Sequence, residues 1–366
     1  MRVCDVMAVM DKWAPPELAY SWDRCGLHAG RPDQEVRKVL TCLTVTKAAL
    51  AAARKGRAEM IVAHHPLIWD PLKTLREDNE EAMLCLDVAR AGIACYAAHT
   101  NLDVVPGGVN HVLAGRLGLT NLSSLIRVPH AQLTKLVAFV PGTHLAAVRE
   151  AVCAAGAGTI GDYTHCSFSA PGIGTFMPGA GTAPFSGRTH VVNEEPEQRF
   201  ETLVPKARLA HVLAALCASH PYEEVAYDVV PLANPDKMVS LGLRGDLAKP
   251  VKLDAFAAAV RNSLDIRHVR VTGDPRRSVR HVAVMGGAGG GSTGEIPGDV
   301  DVYVTGDVKY HEAITANERG LAVIDAGHHG TEKWIAPAIA DYVRTHCRGI
   351  KASAYMEPDP FRVVTG

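Results

Sequence analysis

The sequence of 366 residues predicts an α/β fold, in which a mostly parallel sheet with flanking helices is interrupted by a ferredoxin-like α+β insert. Two observations predict this arrangement. At both ends of the chain, strand-like apolar runs alternate with helix-like runs, which is typical of parallel sheets. The middle third instead repeats one strand–helix pattern. The length also exceeds that of most single cores, so two domains are expected.

The first third predicts three strands and two helices. The strands cover residues 36–45, 60–63 and 93–98, and the helices cover residues 47–55 and 79–91. Each strand is rich in apolar residues and is followed by polar or small ones. This alternation favours parallel strands joined by helical crossovers.

The last third resumes the same alternation. Strands are predicted at residues 281–285, 300–305 and 321–324, and a terminal helix at residues 331–346. We therefore expect the two ends of the chain to form one discontinuous α/β metal-binding domain, made of residues 1–127 plus 247–366.

The middle of the chain contains an internal repeat. Val140-Pro141 and Val204-Pro205 are each followed by a helix-like run with apolar residues at the same spacing. Each copy then leads toward a further strand-like run. Two β-α-β units in tandem are typical of a ferredoxin-like domain. This insert is predicted to span residues 128–246.

Composition excludes some classes of function. The formal net charge is −1, so nucleic acid is not expected as a partner, nor is an anionic membrane surface. No run approaches about 18 apolar residues, so no transmembrane helix is expected. The nine cysteines form no C-x-x-C pair. We interpret them as reduced thiols in a cytoplasmic protein.

Potential metal ligands follow three of the predicted strands. His64 and His65 come after residues 60–63, Asp103 lies just past residues 93–98, and His328 follows residues 321–324. In open α/β sheets, ligands bind outside the carboxyl ends of the strands. We therefore expect these side chains to meet at one sheet edge.

Their spacing favours two ions rather than one. Side chains of adjacent residues point apart in an extended backbone, so His64 and His65 suit two neighbouring ions. Residues four apart share a helix face, so His328 and Glu332 can reach one site. Asp103 is assigned the bridging role. Each motif alone is more often a coincidence of composition, but together at strand ends they indicate zinc, iron or manganese.

Longer motifs resemble one known family. The matching runs are residues 22–23 with 26–27, 63–68, 99–103, 305–313 and 325–332. They resemble the signatures of the NIF-three-like dinuclear metal family, whose members are named GTP cyclohydrolase 1 type 2 homologues. Residues 220–228 resemble the insert of its longer members, which is similar to P-II and CutA-like regulatory domains.

The resemblance implies a ligand set, an assembly and an activity. The family's metal ligands fall on His64, His65, Asp103, His328 and Glu332. The family also implies two divalent metal ions per subunit, a homohexameric ring and GTP cyclohydrolase activity. Two departures concern substrate preference. Arg24 stands where the family usually has Asn, and Thr44 lies in a strand ending where Asp is frequent.

Three further residues are candidates for roles beside the ligands. His99 and His311 are candidate catalytic residues that could move protons, and His99 could alternatively orient Asp103. Asp307 could hold a ligand imidazole through its second nitrogen. For all three, the alternative is a hydrogen-bond partner in a polar pocket. His329 competes with His328, and only the motif orders them.

The glycine-rich run at residues 285–294 contains a G-x-G-x-x-G match. Pro297 disfavours the long helix that a dinucleotide fingerprint needs, so we interpret the run as a tight turn or an anion-binding nest.

These observations predict a metal-dependent hydrolase acting on a nucleotide or a related phosphorylated small molecule. The alternative is a non-enzymatic protein for metal binding, metal delivery or regulatory scaffolding.

Overall fold

The computed structural model describes residues 1–76, 78–128, 131–161, 163–235 and 239–364. The chain divides into two compact units. The first combines Met1–Val128 with Val239–Gly366, and the second is Pro129–Met238.

The elements of the first unit that precede the second unit form a strand–helix alternation. In order they are α1 (Val3–Trp13), β1 (Gly26–Ala29), β2 (Lys38–Cys42), α2 (Lys47–Gly56), β3 (Met60–Ala63), α3 (Glu80–Arg90), β4 (Ala94–Ala97), α4 (Thr100–Asp103), α5 (Val109–Arg116) and β5 (Thr120–Ile126).

The second unit contains β6 (Gln132–Pro141), α6 (Leu145–Ala154), β7 (Ser167–Phe176), β8 (Asn193–Pro205), α7 (Leu209–Ser219) and β9 (Tyr227–Pro235). The first unit then continues with β10 (Leu241–Lys252), α8 (Leu253–Ser263), β11 (Arg270–Thr272), β12 (Ser278–Val284), β13 (Val302–Thr305), α9 (Tyr310–Glu318), β14 (Ala322–Asp325), α10 (His328–Glu332), α11 (Ile335–His346) and β15 (Lys351–Ala354).

The first unit holds two sheets, of order β1-β4-β3-β2-β15 and β11-β14-β13-β12-β10-β5. The α/β class is confirmed, but the prediction of one mostly parallel sheet is wrong. In the first sheet only β1 pairs antiparallel, whereas in the second β11, β10 and β5 all do. Local apolar patterns do not show which distant strands pair. For this reason the sequence predicted one sheet where the structure has two.

Several of the parallel strands are short and buried on both faces. All four residues of β3 and all four of β4 are buried, as are all four of β14. Strands covered by helices on both faces are apolar throughout, which is the pattern that identified them in the sequence. Ile61 and Cys95 pack with Leu50 of α2 and Val88 of α3 in one core cluster.

A separate core supports the second sheet. Val282, Val302 and Ile324 from its three parallel strands pack with Leu113 of α5 and Val260 of α8. The two cores hold the carboxyl ends of β3, β4 and β14 in fixed positions. The chain segments that carry the predicted ligands begin at these ends.

The second unit has one antiparallel sheet of order β7-β8-β6-β9. The predicted repeat is confirmed locally, since β6 and β8 each end at the repeated proline, Pro141 or Pro205, ahead of a helix. Val148 of α6 and Val212 of α7 are buried against this sheet.

The insert predicted from the sequence, residues 128–246, extends beyond the second unit, which ends at Met238. Residues 241–246 belong to β10, which pairs with β5 and β12 in a sheet of the first unit. No helix in the described part of the chain combines the length and the apolar character needed to span a bilayer.

Candidate metal centre

Histidine and carboxylate side chains from distant segments of the first unit lie together. Potential ligand atoms within 4.8 Å of one another form three groups: His64, His65 and His99; His65, His328 and Glu332; and His64, Asp103 and Glu332. All five residues that were predicted as metal ligands are members of these groups. The predicted meeting at a single sheet edge is wrong in detail, because β3 and β4 belong to one sheet and β14 to the other.

His64 is fully buried directly after β3. Its Nδ1 donates to the carbonyl of Ala98 at 2.9 Å, so its Nε2 carries the free lone pair. Burial lowers the pKa of His64 to about 4, despite the opposing influence of Glu332. The imidazole is therefore neutral at pH 7, which is the form that binds a metal ion.

The Nε2 of His64 has no hydrogen-bond partner among the described residues. It lies 3.5 Å from Oδ1 of Asp103 and 3.9 Å from Oε1 of Glu332. These separations are too long for good hydrogen bonds. Two ligand atoms bound to the same tetrahedral zinc ion lie about 3.4 Å apart. The buried and unpaired nitrogen, with two carboxylates facing it, therefore fits a divalent ion.

Glu332 connects the two sides of the cluster. It is buried in α10, and its Oε2 lies 3.0 Å from Nε2 of His65 and 3.0 Å from Nε2 of His328. Burial by itself would raise its pKa, but hydrogen bonds from the surrounding imidazoles lower it well below the ordinary value. α10 begins at His328, so His328 and Glu332 are one turn apart, as their spacing predicted.

In His65 and His328, the ring nitrogen that faces away from Glu332 also has a hydrogen-bond partner. His65 Nδ1 lies 2.7 Å from Oγ1 of Thr44, and His328 Nδ1 lies 2.7 Å from Oδ2 of Asp307. Asp307 adopts a left-handed φ of 55° to do so. Metal-binding imidazoles usually have such a partner on their second nitrogen, which fixes the ring and its tautomer. Thr44, a departure from the family pattern, thus contacts a candidate ligand directly.

A negative charge on Asp103 is unfavourable unless a cation is bound nearby. Burial and the nearby carboxylate of Glu332 raise its pKa to about 8. Two enclosed carboxylates repel each other unless a proton or a cation lies between them. The donor set of imidazoles and carboxylates suits zinc, iron or manganese.

Asp23 is a member of the site that the sequence analysis left without a role. It is buried, and its Oδ1 lies 2.8 Å from Nδ1 of His99. Its Oδ2 accepts from the backbone N–H of Thr100 at 2.9 Å. Burial alone would raise the pKa of Asp23, but these hydrogen bonds and the charge of His99 lower it. Its place in the Trp22-Asp23 motif was the available signal.

His99 therefore has a fixed orientation beside the candidate ligands. Burial alone would lower its pKa, but the hydrogen bond with Asp23 and the charge of Asp103 raise it above the ordinary value. Its ring centroid lies 5.1 Å from that of His64. His99 was expected to move protons or to orient Asp103, and the structure pairs it with Asp23.

Two other histidines lie apart from the three groups. His311 is exposed on α9, where its ring meets Tyr310 edge-on at 5.3 Å. His329 Nε2 lies 2.9 Å from the carbonyl of Glu357. The structure thus brings His328, not His329, to the cluster.

The glycine-rich run makes room for Glu332. Gly287 has a φ of +65°, and a Cβ there would overlap Oε1 of Glu332. The G-x-G-x-x-G match itself forms a short 3-10 helix at Gly289–Glu295, without the long α-helix of a dinucleotide fingerprint.

The fold and the cluster define an α/β protein with a candidate metal centre of imidazoles and carboxylates. A model of the Duf34/NIF3 (NGG1p interacting factor 3) family matches residues 1–360, and the chain belongs to this family.

Relatives and solved structures agree with this assignment. A GTP cyclohydrolase 1 type 2 homolog of Halalkalibacterium halodurans is 40% identical over 325 residues, covering 88% of this chain and 87% of the relative. The homolog of Bacillus subtilis is 37% identical over 347 residues, covering 94% and 93%. The crystal structure of a Bacillus cereus protein related to NIF3 matches with a TM-score of 0.87 at 38% identity, covering 100% of this chain and 99% of that one.

Proposed function

We propose that this protein is a metal-dependent hydrolase that binds two divalent ions per chain. The ligands in this proposal are His64, His65, Asp103, His328 and Glu332. The observation that carries it is the buried Nε2 of His64, which lacks a hydrogen-bond partner among the described residues and faces two carboxylates at 3.5 and 3.9 Å. An unpaired buried polar atom costs about 1–3 kcal/mol, and a bound cation would remove this cost.

Two ions are proposed because the ligands fall into two overlapping groups. His64 groups with Asp103 and Glu332, and His65 groups with His328 and Glu332. Glu332 is common to both groups and presents Oε1 to one side and Oε2 to the other. These distances favour Glu332 as the shared carboxylate, in place of the bridging role that the sequence assigned to Asp103.

Divalent ions bound there would supply Lewis-acid activation of water and of a substrate oxygen. The chain itself would supply proton transfer through His99. Its Nδ1 is held by Asp23, so the proton would be gained or lost at Nε2. Asp23 would also keep the ring oriented throughout the reaction. His311 remains a second candidate only if a substrate reaches as far as α9.

A nucleotide or related phosphorylated compound is the proposed substrate class. The names of the relatives support GTP in particular. The proposed reaction opens the purine ring with loss of formate. The test is to load the protein anaerobically with zinc, manganese or iron and to measure formate and phosphate release from a panel of nucleotides.

A matched pair of variants makes this test specific. H328A should abolish turnover, because it removes a member of the cluster that contacts Glu332. H329A should retain turnover, since that imidazole contacts the carbonyl of Glu357 instead. Metal-loaded protein that releases neither product from any nucleotide would contradict hydrolase activity. That result would favour the alternative of a non-enzymatic metal-binding, metal-delivery or regulatory scaffold.

We also propose that the second unit is a ferredoxin-like insert domain. Its β-α-β-β-α-β succession and its fully antiparallel sheet support this assignment. Assembly into a homohexameric ring is proposed from the sequence resemblance, and light scattering of the purified protein tests it. Nine cysteines without a disulfide support a cytoplasmic location.

A further inference from the structure

Two tryptophans beside the candidate metal centre are about half exposed. Trp22 is 54% exposed and Trp69 is 49% exposed. Their ring centroids lie 6.0 Å apart, with the planes tilted by 48°. Indole rings carry a large apolar surface, and tryptophan is enriched at surfaces where other molecules bind.

The same imidazole joins both indoles to the candidate ligands. His99 meets Trp22 edge-on at 6.2 Å and Trp69 edge-on at 5.4 Å. The ring of His99 is in turn 5.1 Å from His64 and 5.6 Å from His65. A molecule lying on the indoles would therefore be in reach of the proposed proton donor and metal ligands.

The segment that carries Trp22 holds this side chain in place. Tyr20 stacks on Trp22 at 5.8 Å with an interplanar angle of 18°. The next residue, Asp23, is buried and hydrogen-bonded to His99. The orientation of Trp22 is thus tied to that of His99, which pre-organises the surface for a ligand.

We propose that Trp22 and Trp69 form a stacking surface for a flat heteroaromatic ring of the substrate, such as a nucleobase. The proposal rests on the proposed function, because it assigns residues that would bind the base of the substrate proposed for the same site. Aromatic rings stack or meet edge-on at centroid distances of about 4.5–7 Å, the range found within this cluster. A small aromatic solute is favoured over a protein partner, because His99 contacts both indoles and also lies among the candidate metal ligands.

The test compares guanosine 5′-monophosphate with ribose 5-phosphate on the zinc-loaded full-length protein. The two probes share sugar and phosphate, so any contribution of the metal centre to phosphate binding cancels in the ratio of their dissociation constants. Calorimetric titration should show that the nucleotide binds about tenfold or more tightly in the unchanged protein, which is the usual range for one stacked base.

Variants assign that preference to the tryptophans. In the double variant W22L/W69L the ratio should fall toward one, while the content of bound zinc stays unchanged. W22F/W69F keeps aromatic rings and should restore part of the preference. Y163L is the matched control, because it removes an aromatic ring that is 76% exposed in the second unit, and it should leave the ratio unchanged.

The outcomes separate this inference from the proposed hydrolase activity, because the binding ratio needs no turnover. A ratio near one in the unchanged protein, no detectable binding of the nucleotide, or an unchanged ratio in W22L/W69L would overturn the stacking surface. A preserved ratio without product release from any nucleotide would support the stacking surface and reject the hydrolase. Product release with a ratio near one would support the hydrolase and reject the stacking surface.

Discussion

Glu332 lies in two of the three groups of potential ligands, and Asp103 lies in one. Replacement of each carboxylate by its amide keeps the shape and removes the charge. We expect E332Q to weaken binding at both ions, because the shared ligand and its negative charge are lost together. D103N should weaken mainly the binding of the ion beside His64, because Oδ1 of Asp103 lies 3.5 Å from Nε2 of His64.

Calorimetric titration with zinc or manganese resolves the two sites and checks this ranking. H329A is a suitable control, since it lies next to His328 in the chain and outside the three groups. If D103N weakens both sites and E332Q weakens only one, Asp103 is the shared carboxylate. The bridging role that the sequence predicts for Asp103 would then be correct.

The five candidate ligands could be chosen from the sequence because each lies in a motif at or just beyond a predicted strand end. Asp23 could not be given a role in the same way. It lies 76 residues before His99, and only the fold brings its carboxylate to Nδ1 of that ring. The choice of His328 over His329 also needed the family motif, since both follow β14 and have the same chemistry.

The glycine turn after β12 leaves space for the carboxylate of Glu332, a role that the sequence did not predict. Gly287 has a φ of +65°, and a Cβ there would overlap Oε1 of Glu332. We expect G287A to displace that carboxylate and lower metal affinity by about tenfold or more, and to cost about 1–2 kcal/mol from the left-handed backbone.

G291A is the matched control for this prediction. It lies in the same run, and a Cβ there would meet nothing within 4 Å. Metal titration and thermal unfolding of both variants provide the measurement. Equal metal affinity in G287A and G291A would show that the turn does not constrain Glu332.

Strands were easier to predict than their pairing. The buried strands β3 and β4 stand out as apolar runs and lie close to their predicted bounds. Nothing local in β10 shows that it pairs with β5, whose register joins Leu243 to Ser124 across more than a hundred residues. For this reason the sequence predicted one sheet in place of two and set the insert boundary inside β10.

The division of the chain into two units predicts which deletion is tolerated. Replacing residues 129–238 with a short Gly/Ser linker should leave a folded protein that still binds metal, because all five candidate ligands lie in the first unit. Replacing residues 128–246 should be more destabilising, since it also removes residues 241–246 of β10 and their pairs with β5 and β12.

Circular dichroism, thermal unfolding and metal analysis of the two deletions provide the comparison. A folded, soluble product of the shorter deletion that has lost all metal binding would show that the second unit contributes ligands.

The central claim is that the first unit binds two divalent ions. Its most direct test is metal analysis by mass spectrometry of protein loaded anaerobically with zinc, manganese or iron and then freed of unbound metal. We predict two ions per chain in the unchanged protein and fewer than two in H64A, which removes the unpaired buried nitrogen. A reproducible content of one ion or none in the unchanged protein would contradict the account.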